Sequence, residues 1–140
     1  MNRKISVLIV DDQEATRQGL SDVLEFEPHV QVVGVAGDGA EAIQFVSQVQ
    51  PDVILMDVQM PGMNGLEATQ LIKAQWPQVK IIVFTVSPAH ELDAHAAGAN
   101  HFLLKGSVRE TVADAIRTLF PAEFTNSHFT SDAAEPEKID

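Results

Sequence analysis

The chain has 140 residues, and its 20 aspartates and glutamates outnumber its 9 lysines and arginines, giving a formal net charge of −11. This length fits one domain, and the absence of cysteine excludes disulfides and thiolate metal sites. No apolar stretch reaches the roughly 18 residues of a membrane span, and the N-terminal apolar run is too short for a signal peptide. We therefore expect an acidic cytoplasmic domain that binds neither membranes nor, directly, nucleic-acid phosphates.

Short apolar runs alternate with segments of helical periodicity as far as about residue 120. The runs are rich in Val, Ile, Leu and Phe, and they lack period-two alternation, as is typical of strands buried on both faces. Segments of helical spacing separate them. In chain order, the predicted strands are Ile5–Val10, Val30–Ala36, Val53–Met56, Ile81–Phe84 and Phe102–Leu104.

Three of the intervening segments carry a clear apolar face at helical spacing. The faces comprise Ala42, Ile43, Val46 and Val49; Ala89, Leu92, Ala96 and Ala99; and Val108, Val112, Ala115, Ile116 and Leu119. Helical segments and the strands that follow them are separated by Pro28, Pro51 and Pro77. Gly98 ends the fourth helix, and Ser107 with Glu110 forms a predicted capping box at the start of the fifth.

The alternation of strands and helices predicts a parallel sheet that is covered by helices on both faces. We expect an α/β fold, a flavodoxin-like (βα)5 doubly wound sheet, with the strand order 2-1-3-4-5 assumed by analogy. Residues 1–120 form the predicted domain. Residues 121–140 are small, polar and acidic with little periodicity, and they read as an acidic tail or the start of a linker.

Polar side chains follow four of the five predicted strands at the point where each strand ends. Asp11 and Asp12 follow the first strand, Asp57 the third, Thr85 the fourth and Lys105 the fifth. Carboxyl ends of parallel strands lie along one edge of the sheet, where ligands bind. In the assumed order the first and third strands are neighbours, so the three aspartates converge.

Three carboxylates in one crevice repel one another, and their pKa values rise unless a cation lies among them. Oxygen ligands without histidine or cysteine suit Mg²⁺ or Mn²⁺. The Lys105 ammonium can pair with a carboxylate or a phosphoryl oxygen, and Thr85 offers a hydroxyl donor. A metal, a lysine and a hydroxyl around an aspartate favour phosphoryl transfer to that carboxylate.

Four segments carry a family resemblance over about residues 4–120: VLIVDDQ, VILMDVQMPGMNG, IIVFTVS and GANHFLLKG. They closely resemble the receiver domains of two-component response regulators. The stretch VVGVAGDGAEAI is similar to receivers that precede a LuxR-type helix-turn-helix. The resemblance implies phosphorelay signalling, in which a sensor histidine kinase or a phosphotransfer protein donates a phosphoryl group to the receiver in a Mg²⁺-dependent reaction. An output or partner surface then switches, and a homodimer is a further partner that the resemblance allows.

The resemblance also implies roles for individual residues. Asp57 is the phosphoacceptor, and the phosphoryl oxygens are contacted by Thr85 and Lys105. The implied metal ligands are Asp12 directly, Asp11 largely through water, Asp57 and the backbone carbonyl of Gln59. Phe102 occupies the position of the switch aromatic and acts with Thr85. The implied chemistry is limited to self-phosphorylation and self-dephosphorylation, so the chain is not expected to be an enzyme on other substrates.

One departure from the family pattern follows the lysine. Many receivers have a proline there, joined by a cis peptide bond, whereas this chain has Gly106. Since a cis bond without proline costs about 3 kcal/mol, we expect a trans bond.

Pro61 and Gly65 shape the predicted loop after the third strand.

Other functions fit this sequence less well. A flavodoxin would need a Ser-, Thr- and Gly-rich loop after the first strand, where this chain has DDQEATRQG. The spacing of Gly34, Gly37 and Gly39 is not that of a dinucleotide-binding loop, and a phosphohydrolase would need D-x-D after the first strand. His90 and His95 are five residues apart and fit a zinc site poorly. Whether the chain is a stand-alone receiver or part of a DNA-binding regulator is left open.

Overall fold

The computed structural model describes residues 3–107 and 110–128, with side chains as far as residue 124. Its strands are β1 Ile5–Val10, β2 Val30–Ala36, β3 Val53–Met56, β4 Lys80–Thr85 and β5 His101–Leu104. Its helices are α1 Glu14–Leu24, α2 Gly39–Gln48, α3 Gly65–Gln75, α4 Glu91–Ala96, α5 Val112–Leu119 and α6 Pro121–His128, with a short 3₁₀ turn at Pro88–His90. The five strands form one parallel sheet in the order β2-β1-β3-β4-β5. The predicted doubly wound fold and strand order are therefore confirmed.

Each face of the sheet buries its own hydrophobic cluster. Alternate residues of the central strands, such as Leu8, Ile54 and Ile81, pack against α2, α3 and α4. Their neighbours, such as Ile9 and Leu55, pack against α1, α5 and α6. Both faces of β1, β3 and β4 are consequently dry, which explains why their sequences lack polar alternation.

The predicted apolar face of the fourth helix is wrong. Ala89, Leu92 and Ala96 are exposed, Leu92 at 83%, and the buried residue of α4 is Ala94. The cause is the 3₁₀ turn at Pro88–His90, because its tighter winding shifts the phase of the residues that follow. The prediction assumed one α-helical period for the turn and the helix together, and it therefore placed the buried face incorrectly.

The fifth helix begins later than predicted. Thr111 is its N-cap, and Thr111 and Asp114 form a reciprocal capping box, with Thr111 Oγ1 accepting from the Asp114 amide at 3.1 Å. Ser107 Oγ accepts a longer bond, 3.4 Å, from the amide of Glu110 in the preceding loop. Val108, assigned to the fifth helical face, lies outside the described residues.

The segment after residue 120 begins with a helix. Phe124 of α6 is buried, with its ring 4.9 Å from that of His29 and 5.4 Å from the Arg117 guanidinium. The predicted domain boundary at residue 120 stays a prediction, and residues 129–140 of the predicted acidic tail lie outside the described residues. No helix in the described part of the chain has both the length and the apolar character needed to cross a membrane.

Candidate functional site

Three aspartates lie together at the carboxyl edge of the sheet. The ladder continues one residue beyond two strands, since the Asp11 amide donates to Ala36 at 3.0 Å and the Asp57 amide to Val10 at 2.9 Å. Asp11 and Asp57 are buried, whereas Asp12 is exposed. One carboxylate oxygen from each aspartate lies within 4.8 Å of those of the other two, as the strand order predicts.

The Lys105 ammonium contacts the carboxylates of both Asp11 and Asp57. Its Nζ lies 2.7 Å from Asp11 Oδ2 and 3.4 Å from Asp57 Oδ1. The lysine amide donates to the Thr85 carbonyl at 2.7 Å, which extends the β4–β5 pairing to the site. Gly106 follows with a φ of 82°, and the residues described contain no cis peptide bond, as expected for a Lys-Gly pair.

Negative charges outnumber positive charges at the site. Burial raises the pKa of Asp57; the charge of Lys105 acts against this, and that of Asp11 adds to it, so the pKa stays raised. Burial lowers the pKa of Lys105, but its hydrogen bond to Asp11 and the charges of Asp57 and Asp11 outweigh that effect and raise it. The Lys105 ammonium and the Arg17 guanidinium thus place two positive charges beside three carboxylates. The carboxylates form an all-oxygen donor set that fits a hard divalent cation such as Mg²⁺ or Mn²⁺.

The remaining predicted residues surround this cluster. Thr85 ends β4 and is 2% exposed. Strand β4 is the neighbour of β3, which Asp57 follows. Phe102 pairs with Val83 in the sheet register and is half-buried against the cluster beneath α2, α3 and α4. Gln59 is exposed in the loop that follows Asp57.

An open cleft of about 570 Å³ lies beside the aspartates. It is lined by Asp12, Val58, Gln59, Met60, Gly62, Asn64, Leu66 and His90. Most of these residues belong to the loop between β3 and α3. Asn64 fixes the end of this loop by capping α3: its Oδ1 accepts from the amides of Leu66 and Glu67 at 2.8 and 2.9 Å. The cleft therefore lies on the side of the site where Asp12 is exposed.

The other candidate sites do not assemble. His95 lies 3.9 Å from Glu91 on the surface of α4, and neither His90 nor His95 belongs to a cluster of three metal-ligating side chains within the described ranges. Gly37 and Gly39 lie where β2 turns into α2, the simpler interpretation of these glycines. A carbon at Gly34 would overlap the Phe45 ring, so that glycine serves packing.

Comparison with known proteins identifies the family. The family model for the response regulator receiver domain matches residues 7–117, most of the chain. This chain belongs to the response regulator receiver family. It is 42% identical, over 85% of its own length and 57% of the relative's, to "Transcriptional regulatory protein LiaR" of Bacillus subtilis. It is 38% identical to "Response regulator UvrY" of Escherichia coli, over 97% of this chain and 66% of that one.

Solved structures agree with this assignment. A LuxR-family response regulator from Aurantimonas matches with a TM-score of 0.79 and 31% identity, covering 83% of this chain and 84% of that one. The response regulator domain of Thermotoga maritima CheB matches with a TM-score of 0.71 and 32% identity, covering 93% and 99%. The receiver spans between half and two thirds of the length of the curated relatives it matches.

Some residues of the receiver site were not found by sequence reasoning. The Val58 amide donates to Asp57 Oδ1 at 2.9 Å, and the Phe84 ring lies 5.6 Å below the Lys105 ammonium. Arg17 donates to the Asp11 carbonyl at 2.6 Å. A backbone donor leaves no signal in a sequence. Phe84 could have been noticed because it precedes Thr85 on a strand next to β5.

Proposed function

We propose that this receiver accepts a phosphoryl group on Asp57 from a sensor histidine kinase or a phosphotransfer protein. One observation carries the proposal: Lys105 lies between Asp11 and Asp57, within a group of three carboxylates whose oxygens are at most 4.8 Å apart. A nucleophile, a mobile ammonium and a cation-binding crevice are the parts that phosphoryl transfer to a carboxylate requires.

In this proposal an Asp57 carboxylate oxygen attacks the phosphorus. An O–P bond forms on Asp57 as the P–N bond of the donor phosphohistidine breaks, and the imidazole leaves with the bonding electron pair and takes up a proton. The Lys105 ammonium moves from Asp11 to donate to a phosphoryl oxygen, and the Thr85 hydroxyl donates to another. The chemistry is confined to phosphorylation and dephosphorylation of the receiver itself.

The proposed cation ligands are Asp12, Asp57, the Gln59 backbone carbonyl and, largely through water, Asp11. Mg²⁺ or Mn²⁺ bound there would neutralise the carboxylates and the incoming phosphoryl oxygens. The all-oxygen donor set and the excess of negative charge support this assignment.

We further propose that this receiver is the regulatory part of a transcriptional regulator. The relatives called transcriptional regulatory proteins are longer than this chain, which spans 57%, 53% and 50% of three of them. Reading the encoding frame to its natural stop codon tests the idea, and a frame that ends without a DNA-binding domain contradicts it.

The experiment for Asp57 is phosphorylation by acetyl phosphate in Mg²⁺, followed by intact-mass spectrometry. Wild-type protein and Asp93→Asn, a control on the surface of α4, should each gain one phosphoryl mass. Asp57→Asn should gain none, and EDTA should prevent labelling. Labelling that survives in Asp57→Asn would place the acceptor elsewhere, and sustained turnover of a phosphate ester would favour a phosphohydrolase.

A further inference from the structure

Arg17 connects helix α1 to the loop that contains Asp11 and Asp12 through a hydrogen bond. Its Nη1 donates to the main-chain carbonyl of Asp11 at 2.6 Å. That carbonyl belongs to the peptide that joins Asp11 to Asp12. The Arg17 backbone is itself fixed in the first turn of α1, where its amide donates to the Gln13 carbonyl at 3.1 Å. The Arg17 side chain therefore holds the peptide plane at the start of the cation site.

Asp12 depends on that peptide more than Asp11 does. The Asp11 carboxylate is held by the Gln13 amide at 2.9 Å and by Lys105 at 2.7 Å. The Asp12 carboxylate is exposed and accepts no hydrogen bond from the part of the chain that the structure describes. The position of the backbone to which it is attached therefore sets which positions this carboxylate can reach.

We propose that Arg17 is a positioning residue for the cation site. By holding the Asp11 carbonyl it fixes the Asp11–Asp12 peptide and directs the Asp12 carboxylate toward Asp57. The inference rests on the proposed binding of Mg²⁺ or Mn²⁺ by these aspartates. Arg17 contacts the loop rather than the reacting atoms, so it acts through Asp12.

The charge of Arg17 would have the opposite effect on cation binding. A guanidinium beside a group of carboxylates repels an incoming divalent cation. If Arg17 acted only as a charge, its removal would strengthen Mg²⁺ binding; if it positions Asp12, its removal weakens binding. The sign of the change therefore distinguishes the two roles.

The test is calorimetric titration of Mg²⁺ into the full chain. Arg17→Met should weaken Mg²⁺ binding about tenfold, as expected when the support of a metal ligand is lost. Arg17→Lys retains the positive charge and the ability to donate a hydrogen bond, so it should recover part of the affinity. Arg117→Met is the matched control, because Arg117 binds Glu27 at 2.9 Å and Asp114 at 2.7 Å, neither of which belongs to the cation site. The Mg²⁺ affinity of this variant should equal that of the wild type.

Phosphorylation rates supply a second readout. Arg17→Met should be labelled more slowly by acetyl phosphate at low Mg²⁺ and at the wild-type rate when Mg²⁺ saturates. Unchanged or tighter Mg²⁺ binding by Arg17→Met, or equal losses in Arg17→Met and Arg117→Met, would overturn the inference while leaving the proposed function intact. A wild-type chain that binds no Mg²⁺ would instead refute the cation site itself.

Discussion

The backbone of Gly65 lies against that of Asp57 so closely that a β-carbon at residue 65 would overlap the Asp57 carbonyl oxygen. Gly65 begins α3, and its amide donates to the Val58 carbonyl at 2.9 Å. Helix α3 is thus pressed directly against the residue proposed to take the phosphoryl group. Any side chain here must move either the helix or Asp57.

We therefore expect Gly65→Ala to lower the free energy of unfolding by about 2–3 kcal/mol, since the closely packed backbone must shift. Gly19→Ala is the matched control, because a β-carbon there meets nothing within 4 Å in the middle of α1. That variant should gain up to about 1 kcal/mol from helix propensity. Urea denaturation measures both, and a Gly65→Ala variant as stable as the wild type would contradict the close approach.

Replacement of Asp11 and replacement of Asp12 should weaken Mg²⁺ binding to different extents. Asp12→Ala should weaken Mg²⁺ binding more than Asp11→Ala, because a direct ligand loses its coordination whereas a water-mediated one loses only support. Asp11→Ala should also destabilise the fold, since it removes the acceptor for Gln13 and Lys105. Calorimetry and thermal unfolding test the pair, and equal losses of Mg²⁺ affinity would contradict the assigned roles.

Asp52 should make stability depend on acid pH. Burial acts to raise the pKa of Asp52, but hydrogen bonds from Arg3 and Ser6 and the Arg3 charge outweigh it and lower the pKa. The carboxylate therefore contributes stability above its unfolded pKa of about 3.9, and this is lost as pH falls through the lower folded pKa. Asp52→Asn should lose about 1 kcal/mol at pH 7 and show less of this acid-dependent loss.

The control for that experiment is Asp22→Asn, because Asp22 is an exposed carboxylate on α1 that accepts a hydrogen bond from the exposed Gln18 at 2.8 Å. Its free energy of unfolding should stay within about 0.5 kcal/mol of the wild type. Guanidinium denaturation at a series of pH values measures both variants. Identical pH profiles for Asp52→Asn and the wild type would show that the Arg3 and Ser6 contacts carry no net stabilisation.

Thr85 and Phe102 should couple phosphorylation to the surface formed by α4, β5 and α5. Drawing the Thr85 hydroxyl toward phosphorylated Asp57 would free space beside β5 for the Phe102 ring. Thr85→Ala should leave phosphorylation largely intact while reducing the phosphorylation-dependent NMR shifts at Phe102. Thr69→Ala, at a fully buried threonine on α3, is the control and should retain them. Full shifts in Thr85→Ala would leave Phe102 as a packing residue only.

Phe124 should anchor α6 to the rest of the domain. Its ring is buried against His29 and Arg117, so Phe124→Ala should cost about 3 kcal/mol. Phe26→Ala is the matched control, because its side chain is 87% exposed and its loss should change stability by less than about 0.5 kcal/mol. Amide exchange in α6 should accelerate only in Phe124→Ala; equal exchange in the two variants would mean that α6 does not depend on this ring.

The sequence alone predicted most of the elements that build the site. The bounds of β1, β2 and β3 agree with the predicted strands. For β1 and β3 the reason is that apolar runs buried in the sheet end directly at aspartates. Since Asp11, Asp57 and Lys105 directly follow strands and Thr85 ends one, their shared edge could also be predicted. The phase of α4 and the start of α5 could not, because a 3₁₀ turn and a local capping box determined them.

Distances between residues far apart in the chain were decided only by the tertiary structure. The pairing of Lys105 with Asp11 joins residues 94 positions apart, and it depends on strand order, strand length and the path of two loops at once. The contacts of Gly65 with Asp57 and of Arg17 with the Asp11 carbonyl likewise involve backbone atoms, which every residue possesses. Periodicity and strand ends are local properties that a sequence displays directly, whereas these contacts arise only when the sheet and its helices pack together.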